Sequence, residues 1–325
     1  MFFASLLIAA TAFCGGTFSG EPSYTWSNVT PAASFPQGYN YPVFVVGDRM
    51  VAMNNGTWTS TNGRDWARTE LPESGLNSAY QKYVLFNGAI YALGKLDGNY
   101  ERFSISTRIL RTRDLRTWET VAETSNLPMR IFYGAAVFEN KIWLVGGYDG
   151  KRYYNDVWNS ADGVNWKRVA ESASWSPRNT SLAVFQNKLW LLGGGLIDGD
   201  KTKWANPNSE RELWSSSDGV TWKPVNATLK RKWRGTPVVF DNKLWLVGAN
   251  RGGTFDSASW ITADGASWKE LPAPWSPRGA VAAWVFDGRL FMTGGKSSHT
   301  ENGEVKFVYS NDVWAMSRKT GLESR

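Results

Sequence analysis

The sequence predicts an all-β fold: a six-bladed β-propeller of four-stranded antiparallel blades, closed by the N-terminal strand. Three observations carry this expectation. Four copies of Trp-x-Ser/Thr-x-Asp/Asn-Gly-x-x-Trp run from Trp58 to Trp66, Trp158 to Trp166, Trp214 to Trp222 and Trp260 to Trp268, with a degenerate copy from Leu110 to Trp118. Upstream of the Trp motifs recurs a second block, two apolar runs separated by a turn and closed by Gly-Gly, as in GAAVFENKIWLVGG from Gly134 to Gly147. A lone Trp-bearing strand stands at each end of the repeats, around Trp26 and Trp314. Self-similarity at intervals of about 40–50 residues is the signature of a propeller or solenoid.

Each unit reads as strand a, turn, strand b, Gly-Gly, loop, strand c, Asp-Gly turn, strand d. The a–b turns are Asn-Lys, Asp-Gly and similar pairs, which is hairpin chemistry. Counting strand-b blocks gives six, the two weakest being YPVFVVGDRMVAMNN (Tyr41 to Asn55) and KYVLFNGAIYALGK (Lys82 to Lys95). In the first block Asn54-Asn55 stands for Gly-Gly, and Asn tolerates positive φ better than other residues with a Cβ. The last block has a strand c at Asn311-Asp312-Val313-Trp314 but no Trp-bearing strand d after it. Tyr24-Thr25-Trp26-Ser27-Asn28-Val29 resembles the strand d of Val164 to Val169, so it should complete the last blade and remove an open sheet edge.

The chain of 325 residues is 42% hydrophobic, enough for one closed domain. Residues 1–12 read as a signal peptide cut after Ala12, residues 13–23 as a linker, 24–317 as the propeller and 318–325 as a tail. The expected location is therefore secreted or periplasmic, with lipid anchoring through Cys14 as the lesser alternative. Cys14 is the only cysteine, so no intrachain disulfide is possible. The net charge of +7 favours a partner with negative character. The one dense basic run, Lys230 to Arg234, reads as a solvated loop and not as a nucleic-acid surface. A monomer with no transmembrane segment is expected.

These blocks resemble kelch repeats: an apolar strand ending in Gly-Gly, a later Trp on the outer strand, and Asn-Asp-Val-Trp at 155–158 and 311–314. The resemblance implies a six-bladed propeller whose loops on one face bind ligands or peptides. Its copper oxidases, related to galactose oxidase, need a tyrosine–cysteine cross-link and two histidine ligands. Here the single histidine is His299, and Cys14 lies outside the blades, so no such copper site is available. No metal and no cofactor are expected. Asp162, Asp218 and Asp264 stand in the c–d turns, where an Asp side chain bonds nearby backbone N–H groups, and are assigned to the scaffold.

The b–c and d–a loops share one face, and the b–c loops vary in length, which marks that face for binding. Of 19 tryptophans, only Trp175, Trp204, Trp233, Trp275 and Trp284 fall outside strands b, c and d, and the first four lie in these loops. Trp175-Ser176-Pro177-Arg178 recurs as Trp275-Ser276-Pro277-Arg278, Trp233 precedes Arg234, and Arg130 occupies a similar place. Arg forks beside indole faces suit carboxylates and sugars. The expected ligand site is Arg130, Arg178, Arg234, Arg278, Trp175, Trp204, Trp233, Trp275 and Lys296, with the arginines aimed at the channel mouth and the tryptophans at the loop surface. The partner would be an anionic small molecule, a glycan or a protein. Two alternatives stand beside binding: a carbohydrate-active enzyme like the sialic-acid mutarotases that the resemblance includes, and a protein-interaction scaffold.

Overall fold

The computed structural model describes residues 22–69, 81–98, 103–195, 213–229, 234–251 and 254–319. The proposed signal peptide, Cys14, Trp204 and Trp233 lie outside them. The first strand is β1 (Ser23–Thr30). Blade 1 is β2 (Val43–Val46), β3 (Arg49–Met53), β4 (Thr57–Ser60) and β5 (Ala67–Thr69). Blade 2 is β6 (Lys82–Phe86), β7 (Ala89–Gly98), β8 (Phe103–Thr112) and β9 (Glu119–Ala122). Blade 3 is β10 (Gly134–Phe138), β11 (Lys141–Val145), β12 (Val157–Ser160) and β13 (Lys167–Ala170). Blade 4 is β14 (Asn179–Phe185), β15 (Lys188–Gly195), β16 (Leu213–Ser216) and β17 (Lys223–Val225). Blade 5 is β18 (Arg234–Phe240), β19 (Lys243–Arg251), β20 (Thr254–Thr262) and β21 (Trp268–Pro272). Blade 6 holds β22 (Ala282–Phe286), β23 (Arg289–Thr293) and, after the ribbon β24 (Lys296–Glu301) and β25 (Glu304–Tyr309), β26 (Val313–Lys319).

All six four-stranded sheets are antiparallel; five are meanders in sequence order, and the sixth has the order β1-β26-β23-β22. Trp26 faces Met316 across the β1–β26 ladder. No helix among the described residues is long and apolar enough to cross a membrane.

The a–b turns follow from their residues. Asn87-Gly88, Glu139-Asn140, Gln186-Asn187, Asp241-Asn242 and Asp287-Gly288 all have positive φ at both positions, the two-residue turn whose twist matches the flanking strands. In the c–d turns the Ser or Thr and the Asp divide the backbone donors. Ser216 Oγ accepts from Gly219 N at 2.8 Å, and Asp218 Oδ1 accepts from Val220 N at 2.8 Å and Thr221 N at 2.7 Å. The same pattern holds at Ser160/Asp162, Thr262/Asp264 and, with an amide, Ser60/Asn62.

The glycine of that turn joins one blade to the one before it. A Cβ on Gly219 would stand 2.2 Å from the Trp143 ring, on Gly265 2.0 Å from Trp190, and on Gly163 2.7 Å from Tyr91. Strand b therefore presents an aromatic ring on which the next blade's turn lies flat. At the last seam the ring is Trp245, and Tyr24 of β1 meets it edge-on with centroids 4.9 Å apart. In the degenerate copy Leu115 takes the glycine position at φ 64°, a left-handed conformation unfavourable for a residue with a Cβ.

Candidate functional site

The loops on the b–c/d–a face are organised by the residues before strand a. Arg178 N donates to Tyr154 O at 3.0 Å, and Arg178 O accepts from Gly147 N of the preceding blade at 2.9 Å. Arg278 O likewise accepts from Ala249 N at 2.8 Å. The glycine after strand b allows this approach: a Cβ on Gly146 would stand 2.7 Å from Arg178 O, and one on Gly248 3.1 Å from Arg278 O.

The arginine side chains turn inward. Arg130 meets Asp156 through both guanidinium nitrogens, at 2.5 and 3.1 Å, and also donates to Gly146 O at 3.0 Å. Arg278 forms the same fork with Asp312, the second contact being 3.1 Å. Each Asp accepts as well from the strand-c indole, Trp158 at 2.7 Å and Trp314 at 2.8 Å. Arg178 is 0% exposed, with Ser176 O and Ser176 Oγ accepting from it at 2.8 and 2.6 Å. Ser276 serves Arg278 in the same way, so Trp-Ser-Pro-Arg is a local staple.

Two expectations are thereby corrected. Arg130 and Arg278 do not present unrelieved charge at the mouth, because Asp156 and Asp312 neutralise them inside their own blades. Arg178 is buried as well. Trp175 and Trp275 are not at the loop surface: at 1% and 2% exposure they fill seams between blades. Trp175 meets Trp222 edge-on at 6.2 Å, and Trp275 meets Trp26 at 4.6 Å. Loop Trp residues fold back because burying an indole gains more than leaving it in water. Arg234 opens β18, but its side chain, like Trp204 and Trp233, lies outside the described residues.

Two lysines stand near the Gly-Gly level of the blades. Lys82 begins inner strand β6, opposite Leu93. The residues at that register in the blades that follow are Gly134, Ser181, Thr236 and Ala282, each opposite the residue before the Gly-Gly position. Side chains there turn toward the next inner strand, as Thr236 Oγ1 does in donating to Val281 O at 2.6 Å. Lys82 is thus the one ionisable side chain among these small neighbours, and burial pushes its ammonium pKa down. Lys296 opens β24 and bonds both ways with Gly279 at the start of blade 6. Its Nζ lies 4.8 Å from the Tyr39 ring centre and 5.1 Å from that of Phe307. Burial lowers its pKa too. Neither ammonium has a described carboxylate partner. Lys296 belonged to the expected site; Lys82, first residue of a weak strand-a block, was missed.

The blade 6 b–c segment, expected as a loop, is the ribbon β24–β25 with Asn302-Gly303 at its tip, both at positive φ.

Residues 129–159 match the family model for the kelch motif, a stretch that contains Arg130, Gly146, Gly147, Asp156 and Trp158. Among solved structures, one titled "Structure of YjhT" aligns at a TM-score of 0.66 with 12% identity, covering 86% of this chain and 99% of that one. At that identity the likeness speaks for the fold alone. No curated protein sequence matches the chain. The ring of six four-stranded sheets makes this chain a six-bladed β-propeller, and residues 129–159, with their Arg–Asp clamp and Gly-Gly latch, carry a kelch motif.

Proposed function

We propose that this chain is an exported binding propeller whose b–c/d–a face takes an anionic or carbohydrate ligand. One observation carries the reading: Arg130 and Arg278 are neutralised within their blades, whereas Lys82, at the start of inner strand β6, and Lys296, just after β23, are partly desolvated and without a described carboxylate. A desolvated ammonium gains most from an anion, since low local dielectric strengthens the attraction. The apolar N-terminal run supports export. The enzymatic alternative needs a positioned acid and base at the ligand. Asp156 and Asp312 are held by Arg and Trp and are poorly placed to move protons, which favours binding over catalysis.

The test is a thermal-shift and glycan-array screen of the purified protein with carboxylated and neutral sugars, because ligand binding raises apparent stability by mass action. Lys82→Met should weaken an anionic ligand by about 1.5–3 kcal/mol, the range for charge-assisted hydrogen bonds, and flatten the salt dependence. Salt-insensitive binding, unchanged in Lys82→Met, would remove Lys82 from the reading.

A further inference from the structure

The ribbon β24–β25 leaves the propeller where strand b of blade 6 ends, and its two faces differ. Its register pairs Lys296 with Tyr309, Ser298 with Phe307 and Thr300 with Val305, so these six side chains share one face. Apolar side chains on this face are unusually open: Val305 is 59% exposed, Phe307 50% and Tyr309 36%. Tyr39, from the segment before blade 1, stacks on Tyr309 with centroids 5.4 Å apart and planes 19° from parallel. The Lys296 ammonium sits between the Tyr39 and Phe307 rings. Exposed aromatics in one patch mark an interaction surface, since soluble proteins rarely leave such patches uncovered.

We propose that this face is a subsite for an acidic oligosaccharide; the proposal rests on the binding reading above. Phe307 and Tyr309 alternate along one strand and so stand on the order of 7 Å apart, which offers successive sugar rings two aromatic contacts on one face. Aromatic faces take the C–H faces of sugars, and Thr300 adds a hydroxyl at the rim. Lys296 supplies the charge: two rings hold its ammonium in place, and no described carboxylate competes for it. A carboxylate on the sugar completes the pairing. A purely apolar protein partner would leave that ammonium desolvated without an anion, which costs free energy. The charge therefore favours an acidic ligand over an apolar docking segment.

The experiment uses the full chain with galacturonate, oligogalacturonate and a neutral cello-oligosaccharide, read by calorimetry at two salt concentrations. Oligogalacturonate should bind more tightly than the monomer and than the neutral chain. Phe307→Ala and Lys296→Met should each weaken it about 10-fold, or roughly 1.4 kcal/mol. Lys296→Met should also flatten the salt dependence, and Lys296→Arg should keep it. Melting temperatures should stay at the wild-type value, since Phe307 is exposed. Equal affinity for monomer and oligomer, or oligomer binding lost in Lys82→Met but intact in both ribbon variants, overturns the ribbon subsite and leaves the binding reading standing. Tight binding of the neutral chain overturns the acidic assignment. No binding of either acidic probe overturns both.

Discussion

Blades 3 and 1 make the same joint with different residues. In blade 3, Arg130 and Asp156 form a buried pair that ties the start of strand a to strand c. In blade 1 the corresponding places are held by Gly38 and Gly56, the latter just before β4 as Asp156 is just before β12. The backbone joint survives: Gly38 N donates to Ser310 O at 3.1 Å, and Gly38 O accepts from Gly295 N at 2.9 Å, as Arg178 does with Tyr154 and Gly147. Inside blade 1 the clamp is replaced by amides. Asn54 Nδ2 donates to Pro36 O at 2.6 Å, and the Trp58 indole donates to Asn54 O at 3.2 Å. This main-chain joint between blades thus does not need the Arg side chain, and those of Arg130 and Arg278 bond within their own blades. That division explains why a recurring arginine is a poor pointer to a ligand.

The largest break in this scheme should come at the ring's last seam, where strand d is supplied by the N-terminus. Removing residues through Val29 deletes Trp26 from its 4.6 Å contact with Trp275, removes Tyr24 from Trp245, and exposes the edge of β26. The truncated chain should melt far below the full one or aggregate; equal melting temperatures would show that the sixth blade stands without β1. Trp175→Ala comes next, at about 3–5 kcal/mol, the cost of emptying a large buried aromatic site. Trp166→Ala, at a neighbouring seam and 4% exposed, should match it within experimental spread. A Trp175 variant as stable as wild type would return that residue to the surface.

Arg278→Ala tests the clamp itself. It leaves Asp312 nearly buried beside Trp314 and without its cation, at a cost of about 3 kcal/mol. Adding Asp312→Ala should recover part of that loss, because blade 1 does without both members. Chemical denaturation of the two variants decides it. If the double variant is less stable than the single one, the pair contributes more than charge compensation, and the blade 1 comparison fails.

The scaffold was legible because its constraints are local. Asp-Gly turns and Gly-Gly strand ends need particular φ values, and those residues stand where the values occur. Asp156 and Asp312 were visible in Asn-Asp-Val-Trp, but their partners lie 26 and 34 residues away, so nothing local joined them. Trp175 and Trp275 were misplaced for a related reason: sequence gives no signal for a loop indole that folds back on the next blade. The ribbon was readable in principle, since Asn302-Gly303 between Ser298-x-Thr300 and Val305-x-Phe307-x-Tyr309 is a hairpin turn flanked by alternating residues. Lys82 stands out only once the register shows small residues at its level in the blades that follow.

The smallest predicted effect compares the c–d turns of blades 4 and 1. Partial burial opposes ionisation of Asp218, but the bonds it accepts from Thr221 N, Val220 N and Ser216 Oγ outweigh this and hold its pKa at about 2. Asp162 is lowered to about 2 in the same manner. A carboxylate whose pKa is lower in the folded chain stabilises the fold above its unfolded value, near pH 4, and loses that contribution as pH falls toward 2. Blade 1 carries Asn62 at this position, and its Oδ1 still accepts from Arg64 N at 2.8 Å and Asp65 N at 2.9 Å. Asp218→Asn should therefore keep the turn, with a melting temperature close to wild type at pH 7. Below pH 4 the variant should lose less stability than wild type, by a modest margin because the site is exposed and screened. A variant that melts lower at pH 7 and falls as steeply in acid would mean that the turn depends on the charge itself, and that the amide in blade 1 is compensated by something other than its two backbone bonds.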